Sequence, residues 1–491
     1  MLLRMSEETP VFGMIYFGGS LSGALVRDMR LANELAGRGY RVVVWWAMDK
    51  PDHPPLDPRI EQHLLFNGFR YFGRRWRGVW GLAGKMLHLM WSGARRERAL
   101  QKRPRILEKI MRNWMRLVAE GVENDAGVID RFVEQLRQAG VTHLLPMLSV
   151  LGEYGLAAQR RMGEGSPGAA EPGAALAPGK DALRRGLKLP GKLPGAGVPK
   201  QLITYQGYEL YVNYARMVNA ETERVVTGKL REVAERSPWK AIAVSEDYAD
   251  RASEDLGLAR ERLVAIPPGV PTRVTMRRDE AERYLREKLN LPADMAVVTY
   301  LGRQDTEKGI DLLLYAMNIL RREGVKVQLV IAGPTLFGRA YRRVMRQIAT
   351  DLRLGVPWLE QVDERLREAL FAGSRCVVYP SIHREPFGMV PVEAGAFGTP
   401  SVVPNFGGVG QAIEVQGRRC GLRFQAFDSG DLAKQIRRLI EDEALWKELS
   451  ANGPIVAEYH SVANMADRVL KHMGIATEQT GKLQPLAANS R

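Results

Sequence analysis

Short apolar strands alternate with amphipathic helices from the start of this chain. Residues 11–17 (VFGMIYF) have the composition of a buried strand, a glycine-rich turn follows at residues 18–23, and apolar residues then recur at a helical period as far as Gly37. A second apolar strand covers residues 40–46. Because parallel strands need a crossover connection, which is almost always right-handed, this β-loop-α-β unit predicts a parallel α/β sheet.

A second series of such units begins near Ala293 and includes apolar strands at residues 297–302 and 376–380. A chain of 491 residues is long enough for two or three domains. We therefore predict two doubly wound, Rossmann-like domains, residues 1–275 and 276–455, followed by a C-terminal helix and disordered tail at 456–491. Ligands of such sheets bind beyond the carboxyl ends of the strands, so we expect the active site in the cleft between the two domains.

Composition favours a cytoplasmic protein. No run of about 18 uncharged apolar residues marks a membrane span, and the N-terminal stretch MLLRMSEETP is too short and too acidic for a signal peptide. Cys376 and Cys420 are the two cysteines of the chain and lack metal-type spacing. This pattern predicts two small buried side chains in a reducing compartment.

Most of the net charge of +15 lies in one basic aromatic segment, residues 70–118. Between Arg70 and Arg116 there are 14 lysines and arginines against 2 acidic residues, together with four of the nine tryptophans. Such a pattern is typical of a helix that lies on an anionic membrane surface, here the inner face of the membrane. Two alternatives stay open: a pair of helices packed on the domain, and stacking on single-stranded nucleic acid. We expect no nucleic-acid partner.

A second unusual stretch, residues 161–200, contains 9 glycines, 6 prolines and 7 alanines in 40 residues. A segment of this composition cannot build a core, which predicts a flexible insertion. The apolar residues 202–205 after it predict a further buried strand, so the insertion interrupts the first domain.

Two glutamates flank a turn in the stretch YPSIHREPFGMVPVEAGAFGTP, residues 379–400. Glu385 lies on the loop after a buried strand, and Glu393 lies eight positions later in a predicted helix. The start of a helix attracts anionic groups, while carboxylates accept hydrogen bonds from hydroxyls. Sugar phosphates carry both kinds of group. The alternative is that Glu385 caps the turn and Glu393 faces solvent.

Two cations, Arg303 and Lys308, follow another strand of the same domain, ahead of Gly309. Hydrogen bonds from arginine and lysine to phosphate are charge-assisted and about twice as strong as neutral ones. Alone, this pair is more typical of an ordinary solvated surface. Since both cations and both glutamates follow strands of one domain, the set favours a site for a sugar diphosphate.

The order YLGRQDTEKGID, VVYPSIHREPFGMVPVEAGAFGTPSVV and NFGGVGQAI resembles the retaining glycosyltransferases of family 4, which have the GT-B fold. The resemblance covers most of the chain, except the segments 70–118 and 161–200. It implies a hexosyltransferase-type enzyme whose donor is a nucleotide-diphosphate sugar, with no cofactor and no metal. The absence of a D-x-D triplet from the sequence agrees with the last expectation.

The resemblance also implies a role for each matching residue. Arg303 and Lys308 would bind the donor diphosphate and stabilise the leaving group, while Glu385 would contact the donor sugar as the first glutamate of the E-x7-E motif. Three further parts of the chain would also bind the donor. Glu393, the second glutamate of the motif, would contact the ribose. The others are the backbone of the intervening loop, at Phe387, Gly388 and Met389, and the N-terminal glycine loop, at Gly18 and Gly19.

The acceptor side departs from the family pattern. Many members carry a histidine after the strand that corresponds to residues 202–205, where this sequence has Gln206 and, three positions on, Glu209. A histidine base is therefore not expected there. In a retaining transfer the departing phosphate can take the acceptor proton, and Glu209 either orients the acceptor or is a surface acid.

The function predicted from these observations is a retaining transfer of a sugar to an acceptor such as a lipid-linked or envelope polysaccharide. The alternatives are a GT-B-type sugar-nucleotide epimerase or phosphorylase, and a non-catalytic protein that binds a nucleotide sugar at the membrane surface.

Overall fold

The computed structural model describes residues 9–17, 22–47, 55–65, 104–124, 126–163, 197–335 and 339–476. It divides into two compact units, residues 1–265 with 335–339, and residues 266–334 with 340–491. The division lies earlier than the predicted boundary at 275/276. The reason is a parallel bridge between Val270 and Ser461, which holds the segment after residue 265 on the second unit.

The first unit is built from eight short strands and seven helices within the described residues. The strands are β1 (Val11–Tyr16), β2 (Arg41–Trp46), β3 (Glu61–Leu64), β4 (His143–Pro146), β5 (Lys200–Gln201), β6 (Thr204–Tyr205), β7 (Ala241–Ala243) and β8 (Leu263–Ala265). The helices are α1 (Gly23–Gly37), α2 (Pro104–Glu120), α3 (Ala126–Ala139), α4 (Gly152–Gly163), α5 (Tyr208–Arg216), α6 (Ala220–Glu235) and α7 (Glu246–Leu256).

The strands of the first unit run parallel, in the orders β3-β2-β1-β4-β5 and β6-β7-β8. Two backbone hydrogen bonds connect these sheets across the short link between β5 and β6. Leu202 N–H donates to Leu144 C=O at 2.9 Å, and Ile242 N–H donates to Ile203 C=O at 2.8 Å. The predicted parallel α/β architecture is thus present in this unit.

Helix α2 contains the described end of the basic aromatic segment. Its apolar side chains Met111, Trp114, Met115 and Val118 are buried, whereas Arg116 is exposed. The Trp114 ring stacks on Phe17 with 4.9 Å between centroids, and its Nε1 donates to the Tyr154 hydroxyl at 3.4 Å. This end of the segment therefore packs on the domain, while residues 70–103 lie outside the described residues.

The predicted insertion has narrower limits than 161–200. Helix α4 continues to Gly163, and Lys200 N–H donates to Thr142 C=O at 2.9 Å as β5 joins the sheet. Both ends of the predicted insertion thus belong to regular structure, because the neighbouring elements extend into it. Residues 164–196, to which the prediction of flexibility applies, lie outside the described part of the chain.

The second unit contains a further eight strands and nine helices among its described residues. The strands are β9 (Ala296–Leu301), β10 (Val327–Ala332), β11 (Trp358–Leu359), β12 (Cys376–Val378), β13 (Ser401–Pro404), β14 (Glu414–Val415), β15 (Arg418–Arg419) and β16 (Gly421–Phe424). The helices are α8 (Arg278–Leu289), α9 (Ile310–Arg322), α10 (Arg339–Asp351), α11 (Glu364–Ala372), α12 (Met389–Ala396), α13 (Gly408–Ala412), α14 (Ser429–Glu441), α15 (Glu443–Tyr459) and α16 (Val462–His472). Helix α15 crosses the predicted boundary at 455/456, so the C-terminal helices are part of this unit.

Six parallel strands form the sheet of the second unit in the order β11-β10-β9-β12-β13-β16. Numbered within the sheet, this is the order 3-2-1-4-5-6 of doubly wound dinucleotide-binding folds. The order reverses between β9 and β12, and ligands of such sheets bind at this switch point. The loops that follow β9 and β12 are those that carry the predicted cations and glutamates.

Alternate residues of β9 point into two cores, one on each face of the sheet. Val298 and Tyr300 pack with helices α9 and α14, whereas Val297 and Leu301 pack with helices α8 and α11. Burial on both faces explains why the strand is continuously apolar. The sheet edge at the switch point is therefore held by two complete hydrophobic layers.

Both cysteines, Cys376 and Cys420, are buried free thiols, and burial raises the pKa of each to about 12. No helix within the described ranges is both long and apolar enough to cross a membrane.

The turn after β9 contains a glycine that the fold requires. Gly309 has a φ of +63°, and a Cβ placed there would lie 2.1 Å from the carbonyl oxygen of Pro380. Left-handed backbone and the close approach of a second loop both exclude a side chain at this position.

We predict that Gly309→Ala lowers the free energy of unfolding by more than Gly324→Ala does. Gly324 also has a positive φ, +75°, but no atom lies within 4 Å of its Cβ position. Gly324→Ala should therefore lose only the free energy of placing a side chain on left-handed backbone, about 1–2 kcal/mol. Gly309→Ala should lose this amount and, in addition, the cost of the clash with Pro380. Urea unfolding of the two variants measures the difference, and equal losses would contradict the prediction.

Candidate active site

The turn after β9 places two cations at the switch point of the second sheet. Arg303 lies two positions past the end of β9, and Lys308 ends a 3₁₀ turn, Thr306–Lys308, that leads into α9. Arg303 Nη1 donates to Asp305 Oδ2 at 2.6 Å, and its Nη2 donates to Glu307 Oε1. The Lys308 side chain is 8% exposed. The two predicted cations therefore lie in one short turn, each with carboxylate neighbours.

Glu385 meets Lys308 directly, although 77 positions separate them in the sequence. Lys308 Nζ donates to Glu385 Oε1 at 2.5 Å, and the Ser381 hydroxyl lies 2.7 Å from the same oxygen. The Lys308 ammonium also lies 5.8 Å from the ring centre of Tyr379. The predicted association of the cation turn with the first glutamate is thus a direct ion pair.

Backbone contacts hold the two loops together beside this ion pair. The carbonyl oxygen of Glu307 accepts hydrogen bonds from the N–H groups of Ile382 at 3.1 Å and His383 at 3.3 Å. On the other side of the loop, Gly408 N–H donates to the Glu385 carbonyl at 2.8 Å. Both backbone and side chain of Glu385 are therefore fixed by neighbouring segments.

The surroundings keep Lys308 and Glu385 charged. Burial alone would raise the pKa of Glu385, but the Lys308 ammonium and the hydrogen bonds from Lys308 and Ser381 outweigh it and lower the pKa. Burial likewise disfavours the charged form of Lys308, but neighbouring Tyr379 and Glu385 raise its pKa above the usual value. An ionised carboxylate beside an ammonium is the form that accepts hydrogen bonds from hydroxyls.

The loop between the two glutamates ends in a left-handed glycine that caps α12. Gly388 has a φ of +84°, and a Cβ there would lie 2.6 Å from Val409 Cγ2. Phe387 is buried and its ring centre lies 5.1 Å from that of His460, whose pKa burial lowers to about 3. Met389 is the first residue of the helix. The predicted opening of the helix at residues 387–389 is therefore present.

Glu393 lies within α12, with a side chain that is 6% exposed. Arg367 on α11 donates from Nη2 to Glu393 Oε2 at 2.6 Å. The guanidinium of Arg367 also lies 5.1 Å from the ring centre of Phe371. The alternative interpretation, in which Glu393 faces solvent, does not describe this side chain.

The first unit contains the remaining predicted site residues. Gly18 and Gly19 lie outside the described residues. Gln206 is buried after β6, and its Nε2 lies 2.8 Å from Asp28 Oδ2 and 2.6 Å from the Met147 carbonyl oxygen. Burial raises the pKa of Asp28 against the opposing effects of Arg27 and Gln206. Gln206 thus connects the segments that follow β6 and β4 with helix α1.

Glu209 lies in the first turn of α5 and accepts a hydrogen bond from the Tyr248 hydroxyl. The same hydroxyl accepts hydrogen bonds from the N–H groups of Gly207 at 2.6 Å and Tyr208 at 3.1 Å. This arrangement holds the start of α5, so Glu209 contributes to local structure whether or not it also orients an acceptor.

Within the described ranges, no group of three or more His, Cys, Asp or Glu side chains is arranged to hold a metal ion. The site's charged groups are cations and carboxylates that pair with one another.

Sequence reasoning missed two residues that contact the predicted glutamates. Ser381 stands in the stretch 379–400, four positions before Glu385, but only the folded loop shows that its hydroxyl reaches the carboxylate. Arg367 belongs to no motif. Nothing in the sequence around Arg367 indicates its contact with Glu393, because that contact depends on the packing of α11 beside α12.

We predict that Lys308→Met destabilises the protein strongly at neutral pH and less in acid. In the wild type the pKa of Glu385 is lowered from 4.5, so the ion pair contributes stability above pH 4.5 that is lost as the pH falls through the lowered pKa. The variant leaves a buried carboxylate without its cation, which costs about 3–5 kcal/mol. Protonation in acid removes that charge, so the loss should shrink.

Urea unfolding at pH 7 and pH 4 measures this dependence. The control is the double variant Lys308→Met/Glu385→Gln, which removes both charges of the pair and should lose less stability at pH 7. An equal loss at both pH values in Lys308→Met would contradict the prediction.

Comparison with known proteins finds a family match within the second unit. Residues 282–455 match the family model described as "Glycosyl transferases group 1". Among curated relatives, the D-inositol 3-phosphate glycosyltransferase of Rhodococcus erythropolis is 32% identical over 250 residues, which are 50% of this chain and 55% of the relative. That of Rhodococcus jostii is 30% identical over 256 residues, 51% of this chain and 55% of the relative. The chain spans about half the length of the curated relatives it matches.

Solved structures match over nearly the whole chain. Sucrose-phosphate synthase from Thermosynechococcus elongatus has a TM-score of 0.63 at 19% identity, covering 95% of this chain and 98% of that one. HepE from Anabaena, in complex with UDP and glucose, has a TM-score of 0.61 at 16% identity, covering 94% and 99%. Over residues 282–455 the chain therefore matches the glycosyl transferases of group 1, and it has the two-unit α/β fold of the GT-B class.

Proposed function

We propose that this protein is a retaining, hexosyltransferase-type glycosyltransferase of family 4 that moves a sugar from a nucleotide-diphosphate sugar to an acceptor. The observation that carries the proposal is the contact between Lys308 and Glu385 at the switch point, with Arg303 in the same turn. A phosphate-binding cation and a hydroxyl-binding carboxylate lie side by side there. A sugar phosphate presents the matching ligand groups, a phosphate and a hydroxyl, on adjacent carbon atoms.

The proposed reaction breaks the bond between the sugar carbon and the diphosphate, which leaves with the electron pair. Arg303 and Lys308 stabilise the charge that grows on the diphosphate, and fixed charges of this kind act most strongly where water is excluded. Glu385 accepts hydrogen bonds from the sugar hydroxyls. The acceptor hydroxyl attacks the face that the diphosphate leaves, and a departing phosphate oxygen takes its proton, so the configuration is retained.

The other donor contacts follow from the E-x7-E motif. Glu393, held by Arg367, would accept hydrogen bonds from the ribose hydroxyls, and the backbone of Phe387, Gly388 and Met389 would approach the sugar and phosphates. Gly18 and Gly19 would face the diphosphate. Because HepE from Anabaena is in complex with UDP and glucose, a uridine-diphosphate sugar is the first donor to test.

We predict that Arg303→Ala, Lys308→Ala and Glu385→Ala each reduce donor turnover by about 100-fold, since each removes a charged group that acts on the reacting bond. Release of the nucleoside diphosphate from a panel of nucleotide sugars, with and without a glycan acceptor, measures turnover. Arg322→Ala, an exposed arginine at the end of α9, is the matched control and should retain wild-type rates.

Unchanged rates in all three site variants would contradict the proposed function. Product analysis with the donor alone would reveal an epimerase, and analysis with added inorganic phosphate would reveal a phosphorylase. Binding of a nucleotide sugar without turnover of any donor would indicate a non-catalytic protein.

We further propose that the protein works in the cytoplasm, docked on the inner face of the membrane through the segment 70–118, with a lipid-linked or envelope polysaccharide as acceptor. The support is the concentration of arginines and tryptophans in this segment. Since Met111, Trp114, Met115 and Val118 are buried in the first unit, the lipid contact is assigned to the residues before them.

We predict that the protein co-sediments with anionic vesicles and that substitution of Arg95, Arg96 and Arg98 by glutamine weakens this binding by about 100-fold. Each basic residue near an anionic surface contributes about 1 kcal/mol, so three together account for the loss. The matched control replaces the exposed Arg283, Arg321 and Arg322 of the second unit. Binding that depends on neither anionic lipid nor salt would contradict the proposed docking.

A further inference from the structure

Glu307 places one carboxylate oxygen on both of the cations assigned to the diphosphate. Its Oε1 accepts a hydrogen bond from Arg303 Nη2 and lies 3.7 Å from Lys308 Nζ. Among the carboxylates around these cations, Asp305 contacts Arg303 and Glu385 contacts Lys308. Glu307 is the one of these three whose oxygen is within ion-pair distance of both.

The charges of this turn leave little room for a further anion. Arg303 and Lys308 face the carboxylates of Asp305, Glu307 and Glu385. A diphosphate adds at least two negative charges, and like charges a few ångströms apart repel strongly in a partly buried site. The diphosphate can bind both cations favourably only where one carboxylate gives way.

Exposure distinguishes the carboxylate that can move. The side chain of Asp305 is 5% exposed and that of Glu385 is 9% exposed, whereas that of Glu307 is 43% exposed. A side chain that already reaches solvent can rotate into water without losing its hydration. Glu307 is therefore the residue that an incoming diphosphate would displace.

The backbone of Glu307 does not share this freedom. Its carbonyl oxygen accepts hydrogen bonds from Ile382 and His383, and the next residue but one is the left-handed Gly309 against Pro380. The turn stays in place when the side chain changes its partner. Substitution of the side chain should therefore test its charge with little effect on the fold.

We propose that the Glu307 carboxylate is an internal competitor of the diphosphate for Arg303 and Lys308. It lowers the affinity for the donor and for the nucleoside diphosphate product, and by returning to the two cations it promotes product release. This inference rests on the proposed function, because it takes the two cations to be the diphosphate site.

The test is the affinity of the full-length protein for uridine diphosphate and for inorganic pyrophosphate, measured by titration calorimetry. Glu307→Gln and Glu307→Ala should each bind both ligands about five-fold more tightly than the wild type. A partly exposed ion pair contributes up to about 1 kcal/mol, which corresponds to this factor. Product inhibition by uridine diphosphate should strengthen by the same factor.

The matched control is Glu443→Gln. It removes an exposed carboxylate of the same unit that pairs with Arg375, so it changes the net charge equally. Its affinity for both ligands should equal that of the wild type.

The outcomes separate the two proposals. Wild-type protein that binds neither uridine diphosphate nor pyrophosphate would overturn the assignment of the diphosphate site, and this inference with it. If the wild type binds but either Glu307 variant binds no more tightly, this inference alone would be overturned. Weaker binding in the variants would indicate instead that Glu307 holds Arg303 in position. Tighter binding in Glu443→Gln as well would overturn it too, since the effect would then follow from net charge.

Discussion

The buried ion pair between Lys308 and Glu385 joins the two strands between which the order of the second sheet reverses. An ionised group inside a protein costs several kcal/mol unless it is paired and hydrogen-bonded. Here the cation comes from the turn after β9 and the carboxylate from the loop after β12, where the Ser381 hydroxyl donates a second hydrogen bond to that carboxylate. The two loops must therefore meet at hydrogen-bonding distance, and the surrounding structure holds them there.

Glycine and backbone hydrogen bonds provide this convergence. Gly309 lets the first loop pass against the Pro380 carbonyl, and the Glu307 carbonyl receives two N–H groups of the second loop. Behind them, β9 buries alternate side chains in two cores, so the strand end cannot shift without disturbing both layers. Rigid strands thus carry two short loops that are bonded to each other through backbone and charged groups.

Much of this arrangement could be predicted from the sequence, because its signals are local. The apolar runs and helical periods predicted both α/β series. The composition of the loops after β9 and β12 predicted one shared site, in which Lys308 and Glu385 are in contact. What could not be predicted depends on contacts distant in sequence. The bridge between Val270 and Ser461 places the unit boundary at residue 265, and neither residue has a property from which this bridge could be predicted.

The basic aromatic segment shows the same limit in another form. Sequence periodicity shows that a basic helix has an apolar face. It does not show whether lipid or protein covers that face, because the pattern is the same in both cases. Trp114 stacks on Phe17 and contacts Tyr154, and both partners are far from Trp114 in the sequence. Only the folded first unit therefore shows that protein covers this end of the basic aromatic segment.

The two glutamates of the E-x7-E motif share one feature that argues for a chemical role. Glu385 pairs with Lys308 from the turn after β9, and Glu393 pairs with Arg367 from α11, each inside the unit. Buried ion pairs of this kind add little net stability compared with apolar side chains of similar size. Two such pairs in one unit are therefore poorly explained by stability. The proposed function would explain them, because it requires two fixed carboxylates that accept hydrogen bonds from hydroxyls, one near the cations of Arg303 and Lys308 and one further along α12.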